Sequence, residues 1–248
     1  MKYETLQSVI DVYQNTKEIH RDIYFSFKTN VNATPFLKWH RDFIVQRRHG
    51  YGNRAFHWLW KLLVDDMPDG FNFLEIGVFK GQVLNLVGVC ATQAKKKCQC
   101  IGVTPLDTTD GHPQSDYEND ILDIQRQFPN NSTWGIVNGL STDTEVAHTT
   151  QTYGPYDLMY IDGGHTYEVV TSDLKTYPPM LKVGGYLVVD DCSNYLKMPG
   201  DICMSYSSPK FQCIGIPAVT NAVREVIETD AQYQHLFAVG HIRVWKRI

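Results

Sequence analysis

No apolar run in the 248-residue chain approaches the roughly 18 residues that a membrane-spanning helix requires. Its first stretch, MKYETLQSVIDVYQ, is too polar for the apolar segment of a secretory signal. Positive charge is not in excess: 23 Lys and Arg against 27 Asp and Glu give a formal charge of −4, which removes any bulk attraction to nucleic acid or anionic membrane. None of the six cysteines (Cys90, Cys98, Cys100, Cys192, Cys203, Cys213) forms a CxxC pair, and no histidines stand at zinc-finger spacing. They read as reduced thiols of a cytoplasmic protein. There is no internal repeat, no low-complexity segment, no GxGxxG fingerprint and no Walker Lys-Ser/Thr pair for a triphosphate.

What the chain does have is a strand, loop, helix, turn and strand between Tyr156 and Cys192. Leu158, Met159, Tyr160 and Ile161 form an apolar run that stops at Asp162; Tyr186, Leu187, Val188 and Val189 form another that stops at Asp190-Asp191. A helical pattern (Val169, Val170, Leu174, Tyr177) lies between them and ends at Pro178-Pro179. Continuous apolar strands joined through a helix imply a parallel sheet buried on both faces. A right-handed crossover puts both strand ends on one edge, where open α/β sheets bind ligands. Asp162, Asp190 and Asp191 are therefore expected to meet there. Three carboxylates at one edge repel unless a proton or cation sits among them, and a hard divalent ion such as Mg²⁺ suits oxygen ligands. His165, three residues after Asp162, is placed to take a proton near neutral pH.

The remaining chain fits the same alternation. Strands are expected at Phe71 to Ile76, Cys98 to Val103 and Thr133 to Val137, with helices at Gln82 to Ala94, Tyr117 to Phe128, Thr142 to Thr152 and Pro217 to Thr229. Tyr233 to Val239 and Ile242 to Lys246 make a closing hairpin around Gly240-His241. The expected fold is a Rossmann-like, doubly wound α/β sheet of seven strands, mostly parallel with an antiparallel terminal hairpin. Residues 1–54 stand apart as a helical extension or lid, leaving residues 55–248 as the main domain. Within the extension, Tyr3 to Ile23 reads as one amphipathic helix and Tyr24 to Pro35 as extended. Lys38, His40, Arg41, Arg47, Arg48 and His49 make a basic-aromatic stretch before the turn Gly50-Tyr51-Gly52-Asn53. Phe56, Trp58 and Trp60 read as core, and the aromatic N-terminal helices offer a face to a second subunit. Asn194 to Ile216 lacks periodicity and reads as a substrate-side loop, with Tyr195, Tyr206 and Phe211 as candidates for an acceptor pocket.

The first strand ends FLEIGVFKGQV. Glu75 at a strand end would repel pyrophosphate and favours a ligand bearing an amine or other cation, such as S-adenosylmethionine. With this loop at Glu75, Gly77 and Gly81, the stretch IDGGHTYE at Ile161 to Glu168 and GGYLVVDD at Gly184 to Asp191, the chain resembles the class I S-adenosylmethionine-dependent methyltransferases. Within them it is most similar to the metal-dependent macrocin O-methyltransferase and cephalosporin-hydroxylase-like group, with catechol O-methyltransferase as a more distant relative. The resemblance covers Phe71 to about Asp191.

The resemblance implies that Glu75, Gly77 and Gly81 line the methionine end of the cofactor, and that Asn138, Gly139 and Ser141 flank its adenine. The usual acidic ribose ligand is replaced by Thr104, with Asp107 near enough in sequence to substitute, and a serine common in the catechol-type pattern is Val83 here. Asp162, Asp190 and Asp191 match the metal-ligand positions; Asp162 also borders the cofactor, and His165 falls at the catalytic base. The implied activity is methyl transfer to a hydroxyl of a small molecule (sugar, glycoside or polyketide-like), with Mg²⁺ orienting the acceptor and a neutral His165 as base. The alternatives are a metal-dependent hydrolase or hydroxylase-like enzyme on this fold, and a non-catalytic binding subunit.

Overall fold

The computed structural model describes residues 1–107, 115–193 and 215–248. The seven strands are β1 (Phe71–Ile76), β2 (Cys98–Thr104), β3 (Thr133–Asn138), β4 (Tyr156–Ile161), β5 (Leu181–Val189), β6 (Tyr233–Val239) and β7 (Ile242–Arg247). They form one sheet in the order β3-β2-β1-β4-β5-β7-β6. Strands β1 to β5 pair in parallel, and β7 runs antiparallel to both β5 and β6. The order reverses between β1 and β4, and such a switch point opens a crevice at the carboxyl ends of the strands.

Side-chain alternation gives the sheet two dry faces. On one, Phe71, Phe73, Leu158, Tyr160, Tyr186 and Val188 share a core with the N-terminal helices and with α5 (Gln82–Gln93). On the other, Leu74, Ile76, Met159, Ile161, Leu187 and Val189 pack with α8 (Tyr167–Thr176) and α9 (Pro217–Val226). The same alternation sends Glu75, Asp162 and Asp190 toward the first face, the one roofed by the N-terminal helices.

That N-terminal region differs from the expectation. The single helix over Tyr3 to Ile23 is two: α1 (Leu6–Ile10) stops, and α2 begins at Lys17 under a Thr16 cap and runs to Ala33. Tyr24 to Ala33 is thus helical rather than extended. The buried residues His20, Ile23, Tyr24, Phe27, Asn30 and Val31 hold one helical face, but His20 and Asn30 hide the pattern by being polar. Asn30 satisfies itself by donating to the Lys2 carbonyl (2.6 Å). Pro35 then opens α3 (Pro35–Arg47) after an extended Thr34, as a residue before proline prefers. Helix α4 (Phe56–Asp66) follows and buries Phe56, Trp58 and Trp60. The aromatic faces of α2 and α4 are covered by the chain's own core; Trp39 and Val45 on α3 are the exposed large apolar residues there. No helix of the described residues is long and apolar enough to cross a membrane.

Candidate active site

Three backbone hydrogen bonds tie the strand ends into one edge. Asp162 N–H donates to the Ile76 carbonyl (2.8 Å), Asp190 N–H to Ile161 (3.0 Å) and Cys192 N–H to His241 (3.0 Å). Gly77 turns out of β1 at φ +93°, where a Cβ would stand 2.0 Å from the Asp162 carbonyl oxygen. Only glycine allows the two strand ends to approach this closely. Gly81, at φ +79°, caps α5.

Glu75 is 4% exposed, and its Oε2 has no hydrogen-bond partner among the described residues. Burial, and after it the nearby Asp162 charge, pushes its carboxyl well above the usual range, offset only in part by a backbone hydrogen bond at Leu84. A buried carboxyl left unpaired is costly, and a cationic group bound beside it would remove that cost. Gly77, Val78, Phe79, Thr104, Pro105, Asp107, Tyr117, Asp162 and Gly163 line one cavity next to this point. Thr104 and Asp107 therefore face the same space. The Thr104 hydroxyl accepts from Leu106 N–H (3.3 Å), which leaves its own proton free to donate. Gly139 N–H donates to the Thr104 carbonyl (3.0 Å), so Asn138, Gly139 and Ser141 lie at the same edge, one strand beyond the lining. Val83 is buried in the core on α5.

The second half of the site is a cluster of ionisable groups. The Tyr160 hydroxyl is 3.0 Å from Asp162 Oδ2 and 2.5 Å from Asp190 Oδ2, joining the ends of β4 and β5. His165 Nε2 lies 3.5 Å from Asp191 Oδ2 and 3.7 Å from Asp162 Oδ1. His241, at the tip of the β6–β7 hairpin, hydrogen-bonds Asp190 Oδ1 through Nδ1 and reaches Asp191 Oδ1 at 3.2 Å. Asp191 has a left-handed backbone, φ +50°, which directs its carboxylate between the two histidines at some conformational cost. Burial and the Asp190 charge lift Asp162 to about 7. Burial and the same neighbour also raise Asp191. For Asp190 burial acts upward, but His241 and Tyr160 overcome it and hold the carboxyl low.

The pairing of His165 with Asp162 lifts its imidazole to about 9 against the opposing effect of burial, which favours the protonated ring while these carboxylates hold no cation. A cation held by the same carboxylates would offset that pull, because a bound ion reverses the local charge balance.

A family model described as a methyltransferase domain matches residues 74–192, the stretch that carries both halves of this edge. That stretch, just under half of the chain, is similar to methyltransferase domains. An uncharacterized protein of Acanthamoeba polyphaga mimivirus is 29% identical over 180 residues, 64% of this chain and 74% of that one. Among solved structures, a putative caffeoyl-CoA O-methyltransferase from Staphylococcus aureus superposes with a TM-score of 0.59 at 15% identity, covering 90% of this chain and all (100%) of that chain. The TDP-rhamnose 3'-O-methyltransferase of calicheamicin biosynthesis gives 0.53 at 14% identity, covering 94% and 96%. MycE methyltransferase of the mycinamycin pathway, solved with Mg, SAH and mycinamycin VI, gives 0.50 at 17% identity, covering 82% of this chain and 53% of that one. At these identities the structural likenesses establish the fold.

In this chain the basic-aromatic stretch is largely committed to holding a turn. Arg41 donates to the Tyr51 and Gly52 carbonyls (3.2 and 2.6 Å), and Arg54 pairs with Asp42 (2.5 Å). Tyr51 meets Phe79 of the Gly77–Gly81 loop at 5.1 Å, and Phe79 meets Tyr117 at 5.5 Å, so the turn lies beside the cavity that Phe79 and Tyr117 line. Cys192 beside the Asp pair is fully buried, and burial drives its thiol well up, which rules it out as a nucleophile. Tyr195, Tyr206, Phe211 and the rest of the Asn194 to Gly215 loop lie, apart from that final glycine, outside the described residues, as do Cys203 and Cys213. Sequence reasoning missed Tyr160 and His241. Tyr160 looked like one more apolar strand residue. His241 had a signal: a hairpin whose second strand pairs antiparallel with β5 must place its tip at the edge where β5 ends.

Proposed function

We propose that the protein transfers the methyl group of S-adenosylmethionine to a hydroxyl of a small molecule, with a divalent cation such as Mg²⁺ at Asp162, Asp190 and Asp191 and with His165 as general base. The observation that carries this reading is that Asp162 belongs to both halves of the site. It lines the cavity with Gly77, Thr104 and Asp107, and it lies in the carboxylate-histidine cluster. A methyl donor in the cavity and an acceptor at the cluster would thus be neighbours.

The residues fit both ligands. The unpartnered Glu75 suits the ammonium of the methionine end, and Thr104 and Asp107 suit ribose hydroxyls. Two groups that share Asp191, Asp162-His165-Asp191 and Asp190-Asp191-His241, each bring ligand atoms within 4.8 Å of one another and suit a divalent cation, and MycE, solved with Mg and SAH, has this fold. When bound, such an ion supplies positive charge that lowers the pKa of an acceptor hydroxyl. With a cation offsetting the carboxylates, a neutral His165 would accept that proton at Nε2, Glu75 would anchor the donor, and the Tyr51-Phe79 contact would limit water entry. The carbon–sulfur bond breaks as the carbon–oxygen bond forms, giving S-adenosylhomocysteine and a methyl ether. Holding donor and acceptor in line is the main contribution to rate. Sugar-bearing natural products are the favoured acceptors, since the calicheamicin and mycinamycin enzymes have this fold.

Calorimetric titration of S-adenosylmethionine, with Mg²⁺ and then with chelator, tests the reading. Binding in both conditions, with metal-dependent methylation across a panel of sugar and catechol hydroxyls, is the expected result. Failure to bind the cofactor in either condition would defeat it.

A further inference from the structure

The cluster contains a nitrogen donor that no carboxylate pattern calls for. His241 comes from the far end of the chain, in a two-residue turn closed by the Val239–Ile242 pair. Its position is fixed on three sides. Gly240 takes φ +58°, the His241 carbonyl accepts from Cys192 N–H, and the Phe56 ring meets the imidazole edge-on at 4.8 Å. The residue is 9% exposed, and its Nδ1 faces Asp190 and Asp191.

We infer that His241 is itself a ligand of the metal centre, so that Asp190, Asp191 and His241 give the cation a mixed nitrogen–oxygen shell favouring a transition ion such as Mn²⁺ over Mg²⁺. This rests on the metal-dependent reading above and adds to it a residue and an ion preference. The ligand atoms of these three side chains lie within 4.8 Å of one another. An ion about 2.1 Å from each of two ligands at right angles holds them about 3 Å apart, and His241 Nδ1 is 3.2 Å from Asp191 Oδ1; the cation would take the place of the proton that Nδ1 shares with Asp190. Imidazole favours transition ions, whereas an all-oxygen shell suits Mg²⁺. Asp191 also faces His165, so one carboxylate links the proposed ligand histidine to the proposed base.

The test is Mn²⁺ binding to the full chain followed by electron paramagnetic resonance, with spin-echo modulation used to detect a nitrogen on the bound ion. The wild type should show nitrogen modulation, and His165→Ala should keep it. His241→Ala should lose it and bind Mn²⁺ roughly 10–100-fold more weakly, with a smaller loss for Mg²⁺. His165 is 46% exposed, so its variant should fold, and the wild type and His165→Ala decide the matter even if His241→Ala does not. Bound Mn²⁺ without nitrogen modulation, or modulation that follows His165 instead, would overturn the His241 assignment and leave a carboxylate centre standing. No binding of Mn²⁺ or Mg²⁺ would overturn the centre and the inference together.

Discussion

Glu75→Gln separates what this site costs the empty protein from what it gives to the ligand. The side chain is buried, Oε2 is unpartnered, and burial followed by the Asp162 charge holds the carboxyl well above its usual range. A carboxyl raised in the folded state is most favourable below its unfolded pKa. Its contribution is lost as pH rises from there through the folded value, so the wild type carries a penalty near pH 7 that glutamine lacks. Glutamine keeps the unpartnered polar end but cannot ionise, and removing that ionisation cost at pH 7 is worth about 1–3 kcal/mol. For a chain of this size that is roughly 2–10 °C in Tm at neutral pH, upward. S-adenosylmethionine binding should move the other way. A charged hydrogen bond to its ammonium is worth about 1.5–3 kcal/mol, or roughly 10–150-fold in Kd. Differential scanning fluorimetry and calorimetry read the two effects on one preparation, with methylthioadenosine, which lacks the ammonium, as control. A variant that melts no higher, or that loses affinity for both ligands equally, would refute the account of Glu75 as an anchor awaiting a cation.

His165→Ala should lower turnover roughly 10²–10⁴-fold while cofactor affinity, measured by calorimetry, stays the same; unchanged turnover would remove His165 from the reaction. Gly77→Ala forces a Cβ to within 2.0 Å of the Asp162 carbonyl at φ +93°, so the variant should melt well below wild type and lose cofactor binding together. Acid stability should show the buried histidines. Burial lowers His20 to about 4 and His40 and His235 to about 3, so the unfolded chain takes up protons near pH 6.5 that the folded chain refuses. Each such histidine removes up to about 1.4 kcal/mol of stability per pH unit as pH falls from 6.5 toward its folded value. In urea titrations at pH 7 and 5, His40→Gln should lose less stability than wild type by roughly 1–2 kcal/mol; equal losses would show that His40 takes no part.

How much of the fold was legible depended on whether burial and polarity agreed. From Phe71 to Val189 they do: strands buried on both faces read as apolar runs, and Asp162 and Asp190 mark where two of them emerge. In the first 50 residues they disagree. His20, Asn30, His40 and Arg41 are all buried, each held by partners outside its own helix: His20 by Tyr13 and Asn15 (both 3.1 Å), His40 by His57 (3.0 Å) and Asn85 (3.2 Å), Asn30 by Lys2, and Arg41 by the Tyr51 turn. A periodicity reading discards such residues from the core face, and so α2 was expected to be extended where it is helical.

The site shows the same division in sharper form. Groups at strand ends could be placed from topology alone, because parallel strands share one edge and the period of two fixes the face. Glu75, Asp162 and Asp190 were placed in this way. What topology could not supply was the charge state, since that is set by pairs that form only after folding. His165 sits where an edge loop puts it, yet its pairing with Asp162, and with it the Asp191 charge, favours the protonated ring until a cation joins them. Tyr160 is an ordinary strand residue until Asp162 and Asp190 converge on its hydroxyl. The face matters as much as the edge. Tyr160 packs against Trp60 at 4.9 Å and His241 against Phe56 at 4.8 Å, so the N-terminal helix α4 forms the floor beneath the ionisable cluster. Changes in α4 should therefore alter metal affinity without touching a ligand. Phe56→Leu, by loosening His241, should weaken Mn²⁺ binding severalfold in the same titration, whereas Val12→Ala, at an exposed position outside this floor, should leave it unchanged.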